Sequence, residues 1–316
     1  NSGNTGNLYN TLTVDLNAVF SVSSGGYTVW ANNNVTNNGT INGSGSSFTM
    51  SGDNFANSGT VNPTHFNFND TTSISGNGIW NPSNLNINTN SIINLSNSLS
   101  FGGSGSLVIN ISGSSLSPNN FVLTLDGTLN SVSLNLNNLG SVLYPGILRS
   151  QGNVSLNIRN GSNFNVPFNA NTGTVSFLNI DAGNEAIVNN TILVDNGAVL
   201  NVQGGGYHLR ANDTLTNNGS ISGSGSSFRF FGPVFNNNGL VYPSNFYFEG
   251  IVFAPGSVHR LQGTGSFTTS NCQIREGSNV ILGSDHQFLY ISVNTGSVFD
   301  LNGKVLKLNG SGVPIS

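Results

Sequence analysis

The sequence predicts an all-β protein, a parallel β-helix (β-solenoid) wound right-handed, with about 20 residues per coil and about 16 coils. Three observations lead there. The stretch NNGTINGSGSSF at 37–48 returns almost unchanged as NNGSISGSGSSF at 217–228. Short apolar/polar alternations recur along the chain, among them Phe66-Asn67-Phe68, Leu85-Asn86-Ile87 and Val154-Ser155-Leu156-Asn157-Ile158. Glycine, asparagine and proline punctuate these runs at regular intervals. Alternation is the period of a strand with one face buried, and the punctuating residues are those that turns favour.

The opening duplication belongs to a longer one. At the offset of 180 that relates 37 to 217, Thr11 to Asp15 match Thr191 to Asp195, Gly25-Gly26-Tyr27 match Gly205-Gly206-Tyr207, and Phe66 and Phe68 match Phe246 and Phe248. Further on, the offset becomes 187: Trp80 pairs with Phe267 and Ile87 with Ile274. The excess falls within EGIVFAPGSVHR (249–260), which is expected to leave the coil path as a loop or an added strand. Residues 1–187 are thus read as a first long repeat and 188–316 as a truncated second one, continuous with it.

A shorter period sets the coils. Asn38-Gly39-Thr40-Ile41-Asn42 recurs as Ser58-Gly59-Thr60-Val61-Asn62 and then as Asn77-Gly78-Ile79-Trp80-Asn81. Gly39 and Gly219 are expected to mark corners where a positive φ is cheap. Asn42, Asn62 and Asn81 are expected to stack as an amide ladder, each side chain bonded to its equivalent in the next coil. In the second repeat those positions hold Ser222, Tyr242 and Thr268. Phe48 and Phe228 open strands whose alternate residues face inward, and Cys272, equivalent to Leu85, is expected in the core.

Composition removes several functions. Only 6% of residues are charged, the net charge is −4, and no Lys or Arg precedes Arg149. A nucleic-acid binder needs a basic stripe to neutralise phosphates, so no nucleic-acid partner is expected. No apolar run has the roughly 18–20 residues of a membrane span. One cysteine excludes an internal disulfide framework, and no cofactor is expected.

NNGTINGSGSSFTMSG (37–52), FNNNGLVYPSNFYFEG (235–250) and NTGSVFDLNGKVLKLNGSG (294–312) resemble the Asn/Thr/Gly-rich repetitive β-helical surface adhesins of gliding Gram-negative bacteria. More loosely, they are similar to autotransporter passenger domains and filamentous haemagglutinins. The resemblance implies an extracellular location at the bacterial cell surface, and a structural or adhesive role without catalysis. It carries over no catalytic residue.

The chemistry-bearing residues are sparse. Asp181 and Glu185 form the closest acidic pair and read as a solvated corner. His65, His208, His259 and His286 lack metal-ligand spacing and are expected at the surface. No nucleophile elbow, zinc-binding HExxH or phosphate-binding loop occurs. The contrast between the repeats says more. If Tyr27, Phe48, Phe66 and Leu85 face inward, Thr28, Thr49, Asn67 and Asn86 form an outward column. The equivalent column of the second repeat reads His208, Arg229, Tyr247 and Gln273. Aromatic and planar polar side chains suit a ligand face for surface glycans. The expected partners are flanking repeats or other copies, through end-to-end β-stacking at about 298–308, together with surface glycans. The alternative is a polysaccharide-binding or polysaccharide-degrading β-helix of the tailspike or pectin-lyase kind.

Overall fold

The computed structural model describes residues 4–102, 105–137, 140–158, 162–178, 185–250 and 257–309. Among them there is no helix, and parallel strands stack as a β-solenoid of about 13 turns of about 21 residues. That is fewer turns than the 16 expected, because the turns are unequal. Side chains bonded between successive turns lie 18 and 19 residues apart at Thr49, Asn67 and Asn86. The next steps, through Asn110, Asn135 and Asn157, take 24, 25 and 22 residues. The chain divides into two compact units, Asn1–Val166 and Pro167–Ser316. The boundary between the sequence repeats, at 187/188, falls within the second.

In the first unit three columns of strands supply the core. One aligns Val35, Phe55 and Ile74, a second Ile41, Val61 and Trp80, a third Phe48, Phe66, Leu85 and Ile109. All ten side chains are at most 1% exposed. The alternation read from the sequence is thus the inward and outward alternation of strands stacked in register. Phe48 and Phe66 stack at 5.3 Å, and Trp80 meets Phe66 and Phe101 edge-on at 5.3 and 5.5 Å. Each such ring contributes on the order of 1.5–3 kcal/mol by leaving water. The strand Thr40–Met50 serves two columns, bending where its register against Thr60–Phe68 shifts between Gly43 and Ser47.

The second unit repeats the plan. Its columns align Leu215, Phe235 and Leu261, then Ile221, Val241, Phe267 and Phe288, then Leu209, Phe228, Phe246 and Cys272. Phe228 lies flat on Phe246 at 5.3 Å and Phe267 on Phe288 at 4.4 Å. Cys272 is fully buried in this core, and burial pushes its thiol well above the ordinary range.

The corner glycines have a different cause from the one expected. Gly39 and Gly219 are not among the residues of positive φ. They are glycine because turns touch there. A Cβ on Gly39 would sit 2.3 Å from the Ala18 carbonyl oxygen, and one on Gly59 would sit 2.0 Å from that of Gly39. The amides of Ser58 and Gly59 both donate to the Asn37 carbonyl, at 2.8 and 3.0 Å. Alanine at residue 59 would strike backbone that cannot yield. Gly59→Ala should therefore abolish cooperative folding of the first unit in urea. Gly26→Ala, at φ +80° with nothing within 4 Å, should cost only about 1–2 kcal/mol.

Two histidines overturn the expectation of a surface position. His259 is 1% and His286 3% exposed, whereas His65 is exposed and His208 half-buried. The His259 ring sits among Phe230 and Phe248 with Nδ1 at 2.6 Å from the Gly232 carbonyl oxygen. Burial lowers the pKa of both buried rings, against opposing contacts with backbone carbonyls and, for His286, the charge of Asp285. Both imidazoles therefore hold fewer protons folded than unfolded. Their contribution to stability is complete above about pH 6.5, the unfolded value, and is lost as pH falls towards the folded values. Calorimetry should find the melting temperature dropping below about pH 6.5, and His259→Gln with His286→Gln should flatten that slope.

Both ends of the stretch 249–260 that are described belong to the regular stack. Glu249 ends the strand Leu240–Glu249, and the strand Val258–Gln262 pairs in parallel with Val234–Asn237 and Asn279–Leu282. Residues 251–256, on which the expected loop or added strand falls, lie outside the described residues.

Candidate functional site

Side chains that leave the strands outward meet their counterparts one turn away, so a face is a set of vertical columns. In the first unit these columns are amide ladders. Asn62 Nδ2 donates to Asn42 Oδ1 at 3.4 Å and Asn81 Nδ2 to Asn62 Oδ1 at 3.2 Å. The Gly105 amide closes this ladder on Asn81 Oδ1 at 3.2 Å. A longer ladder climbs from Thr49 through Asn67, Asn86, Asn110, Asn135 and Asn157, with bonds of 3.3, 2.8, 2.9, 2.7 and 2.5 Å. A third was missed in the sequence: Asn37 donates to Asn57, and Asn217 to Asn237, each at 2.8 Å and each residue fully buried. Its signal is an asparagine two residues before each corner glycine, at Gly39, Gly59, Gly219 and Gly239.

In the second unit the same scaffold carries charge. Strand register places Arg210 beside Arg229, Arg229 beside Tyr247, and Tyr247 beside Gln273. Three of the four residues expected on this column are therefore together. His208 is not among them: it pairs with Glu185 and Ser227, on the other side of inward Leu209. Likewise Thr28 pairs with Ser47, and Trp30 stands in register with Thr49. The spacing from Tyr27 to Phe48 suggested Tyr27 as the inward residue, but the turn is shorter and Val29 occupies that place.

Around the column lies an ionic chain. Arg229 donates through Nε to Glu249 Oε1 at 3.0 Å, through Nη2 to Glu249 Oε2, and through Nη1 to Glu185 Oε1 at 2.6 Å. The outer arginines are looser: Arg210 Nη1 lies 3.8 Å from Glu185 Oε2 and Arg275 Nη1 3.9 Å from Glu249 Oε1. Each instead lies over a ring. Arg210 sits 3.9 Å above Phe231 and Arg275 3.5 Å above Tyr247. Their Nε atoms donate to Asn212 and Gln273. Glu185, expected in a solvated corner, is thus tied into this chain, and Asp181 lies outside the described residues. Hydrogen bonding to Glu249 above all, and the charge of Glu185, hold the Arg229 guanidinium protonated more firmly than usual despite partial burial.

Comparison with protein-family models, curated proteins and solved structures gives no significant match. The chemistry must therefore be argued from the residues themselves. Among the described residues no three His, Cys, Asp or Glu side chains are grouped to hold a metal ion. A groove of about 630 Å³ in the first unit is lined by Ser91, Ser114 and Ser141, whose hydroxyls already donate to backbone carbonyls. The arginine column can pair with acidic groups, and the amide ladders can exchange hydrogen bonds with neutral ones.

Arg229 holds the charged face together. Glu249 is 1% exposed, so deleting its partner strands a buried carboxylate. Arg229→Met should cost about 3–5 kcal/mol in urea unfolding, and adding Glu249→Gln should recover most of that loss.

Proposed function

We propose that this chain is an extracellular, non-catalytic adhesive segment of a bacterial surface β-solenoid, with the arginine column of its second unit as contact surface. One observation carries the reading. The long outward column is Trp30, Thr49, Asn67 and Asn86 in the first unit, and Arg210, Arg229, Tyr247 and Gln273 at the equivalent positions of the second. The inward residues beside them stay apolar in both. A scaffold that keeps its core while one face turns from neutral to cationic supports contact with something outside the chain.

Two further features agree. The carboxylates nearest the column, Glu185 and Glu249, direct their oxygens at arginines instead of converging on an open cleft. Leu308, which stacks on fully buried Phe288 in the last described strand, is 39% exposed, as suits a core side chain on which a further coil or another copy stacks.

Beads coated with the purified chain should adhere to polysaccharide-coated surfaces more strongly than albumin-coated beads do. Incubation of the chain with the same polysaccharides should release no reducing ends above the protein-free background. Product release would favour the polysaccharide-degrading alternative, and adhesion no better than albumin's would remove the adhesive role.

A further inference from the structure

The charged face of the second unit is layered. Its carboxylates lie underneath, Glu249 at 1% and Glu185 at 19% side-chain exposure, while Arg229, Arg210 and Arg275 are 27%, 30% and 31% exposed. Among the described residues three guanidiniums face two carboxylates, and the surplus positive charge is the part that meets solvent. This occurs in a chain of net charge −4 with only eight basic residues in all. A ladder serving stability alone would gain from alternating and equal charges, as the neutral amide ladder of the first unit does with aligned dipoles.

The two outer arginines also have the most spare donors. A guanidinium carries five N–H groups in one plane. In Arg210 and Arg275 the Nε–H is used by Asn212 and Gln273, and the nearest carboxylate oxygens among the described residues, at 3.8 and 3.9 Å, are beyond hydrogen-bonding reach. Phe231 and Tyr247 beneath them fix the plane of each guanidinium, so little side-chain freedom remains to be lost on binding. Such a planar, partly desolvated fork matches the paired oxygens of a carboxylate or sulfate. From Arg210 through Arg229 and Tyr247 to the strand of Arg275 is three strand steps, about 14 Å along the stack. A small anion cannot bridge that span, whereas a polymer with an acidic group on successive units can.

We propose that this face binds an acidic polysaccharide, whose carboxylate or sulfate groups pair with Arg210 and Arg275 while the chain lies along the column across Arg229. The proposal rests on the adhesive reading above and adds its ligand class. No group is transferred. Affinity arises from two or more linked ion pairs, so it grows with chain length and falls as salt screens the charges.

Biolayer interferometry with the whole chain immobilised tests it, using polygalacturonate as the carboxylated probe, dextran sulfate as the sulfated probe and dextran as the neutral one. One or both acidic polymers should bind at low salt and weaken at high salt, galacturonic acid monomer should bind at least about tenfold more weakly, and dextran should not bind. Arg210→Gln with Arg275→Gln should weaken binding at least about tenfold while leaving the melting temperature within a few degrees. If that variant fails to fold, the wild-type chain still decides. Bound polymer should protect Arg210 and Arg275, more than Arg149 or Arg260, from an arginine-modifying dicarbonyl reagent read by mass spectrometry. Equal binding of dextran, equal binding by the double variant, absence of protection, or no binding of either acidic polymer would each overturn the proposal. Bead adhesion that persists in that last case would leave the adhesive role standing and remove only the acidic ligand.

Discussion

Successive turns of this chain rest on one another through their backbones at the corners, and that contact sets everything else. The carbonyl of Asn37 accepts two amides from the turn above, and Gly59 lies so close to the Gly39 carbonyl that no side chain fits between them. Gly239 stands in the same relation to Gly219, with a Cβ there meeting the Gly219 oxygen at 2.0 Å. A turn seated this way has one register only. Since the side-chain period of a strand is two, a slip of one residue would turn Phe48, Phe66 and Leu85 outward together. The buried Asn37 and Asn57 amides reinforce the same register, because a buried amide left without its partner is costly.

Register fixed in this way makes the surface a set of independent columns. A column can be rewritten without touching the core, provided each new side chain satisfies its neighbours above and below. The first unit meets that condition with amides, each donating to its equivalent in the preceding turn. The second meets it with guanidinium, carboxylate and ring. These solutions are not equal in stability. Removing charges such as that of Glu249 from water costs about as much as their pairing returns. A partly buried ion chain is therefore a poor way to strengthen a fold that amides already hold. The charge is better explained by what it displays, and the layering of carboxylate below and guanidinium above agrees with that.

Much of the scaffold is legible along the chain. Strand alternation, the interval from Gly39 to Gly59 to Gly78, and the stacking of Asn42, Asn62 and Asn81 follow from local pattern, since each depends on residues a fixed number of positions apart. The candidate face is legible only in part. Arg229, Tyr247 and Gln273 fall on one column because the turns that carry them have the spacing that the aligned phenylalanines advertise. Arg210 holds the place expected for His208, because the turn ending at Phe228 starts its inward series at Leu209 and not at Tyr207.

The sequence by itself determined the period, the strand character, the identity of most core residues and the scarcity of charge. Those properties are written in spacing and composition, and any stacked arrangement of the chain would express them. The tertiary structure alone decided why the corners must be glycine, which histidines lose contact with water, and which arginine joins which carboxylate. Arg229 meets Glu249 across 20 positions, one short turn, but Glu185 across 44, which no repeated interval of the sequence announces. They meet because unequal turns, each closed by its own corner, bring those side chains to neighbouring heights on one face.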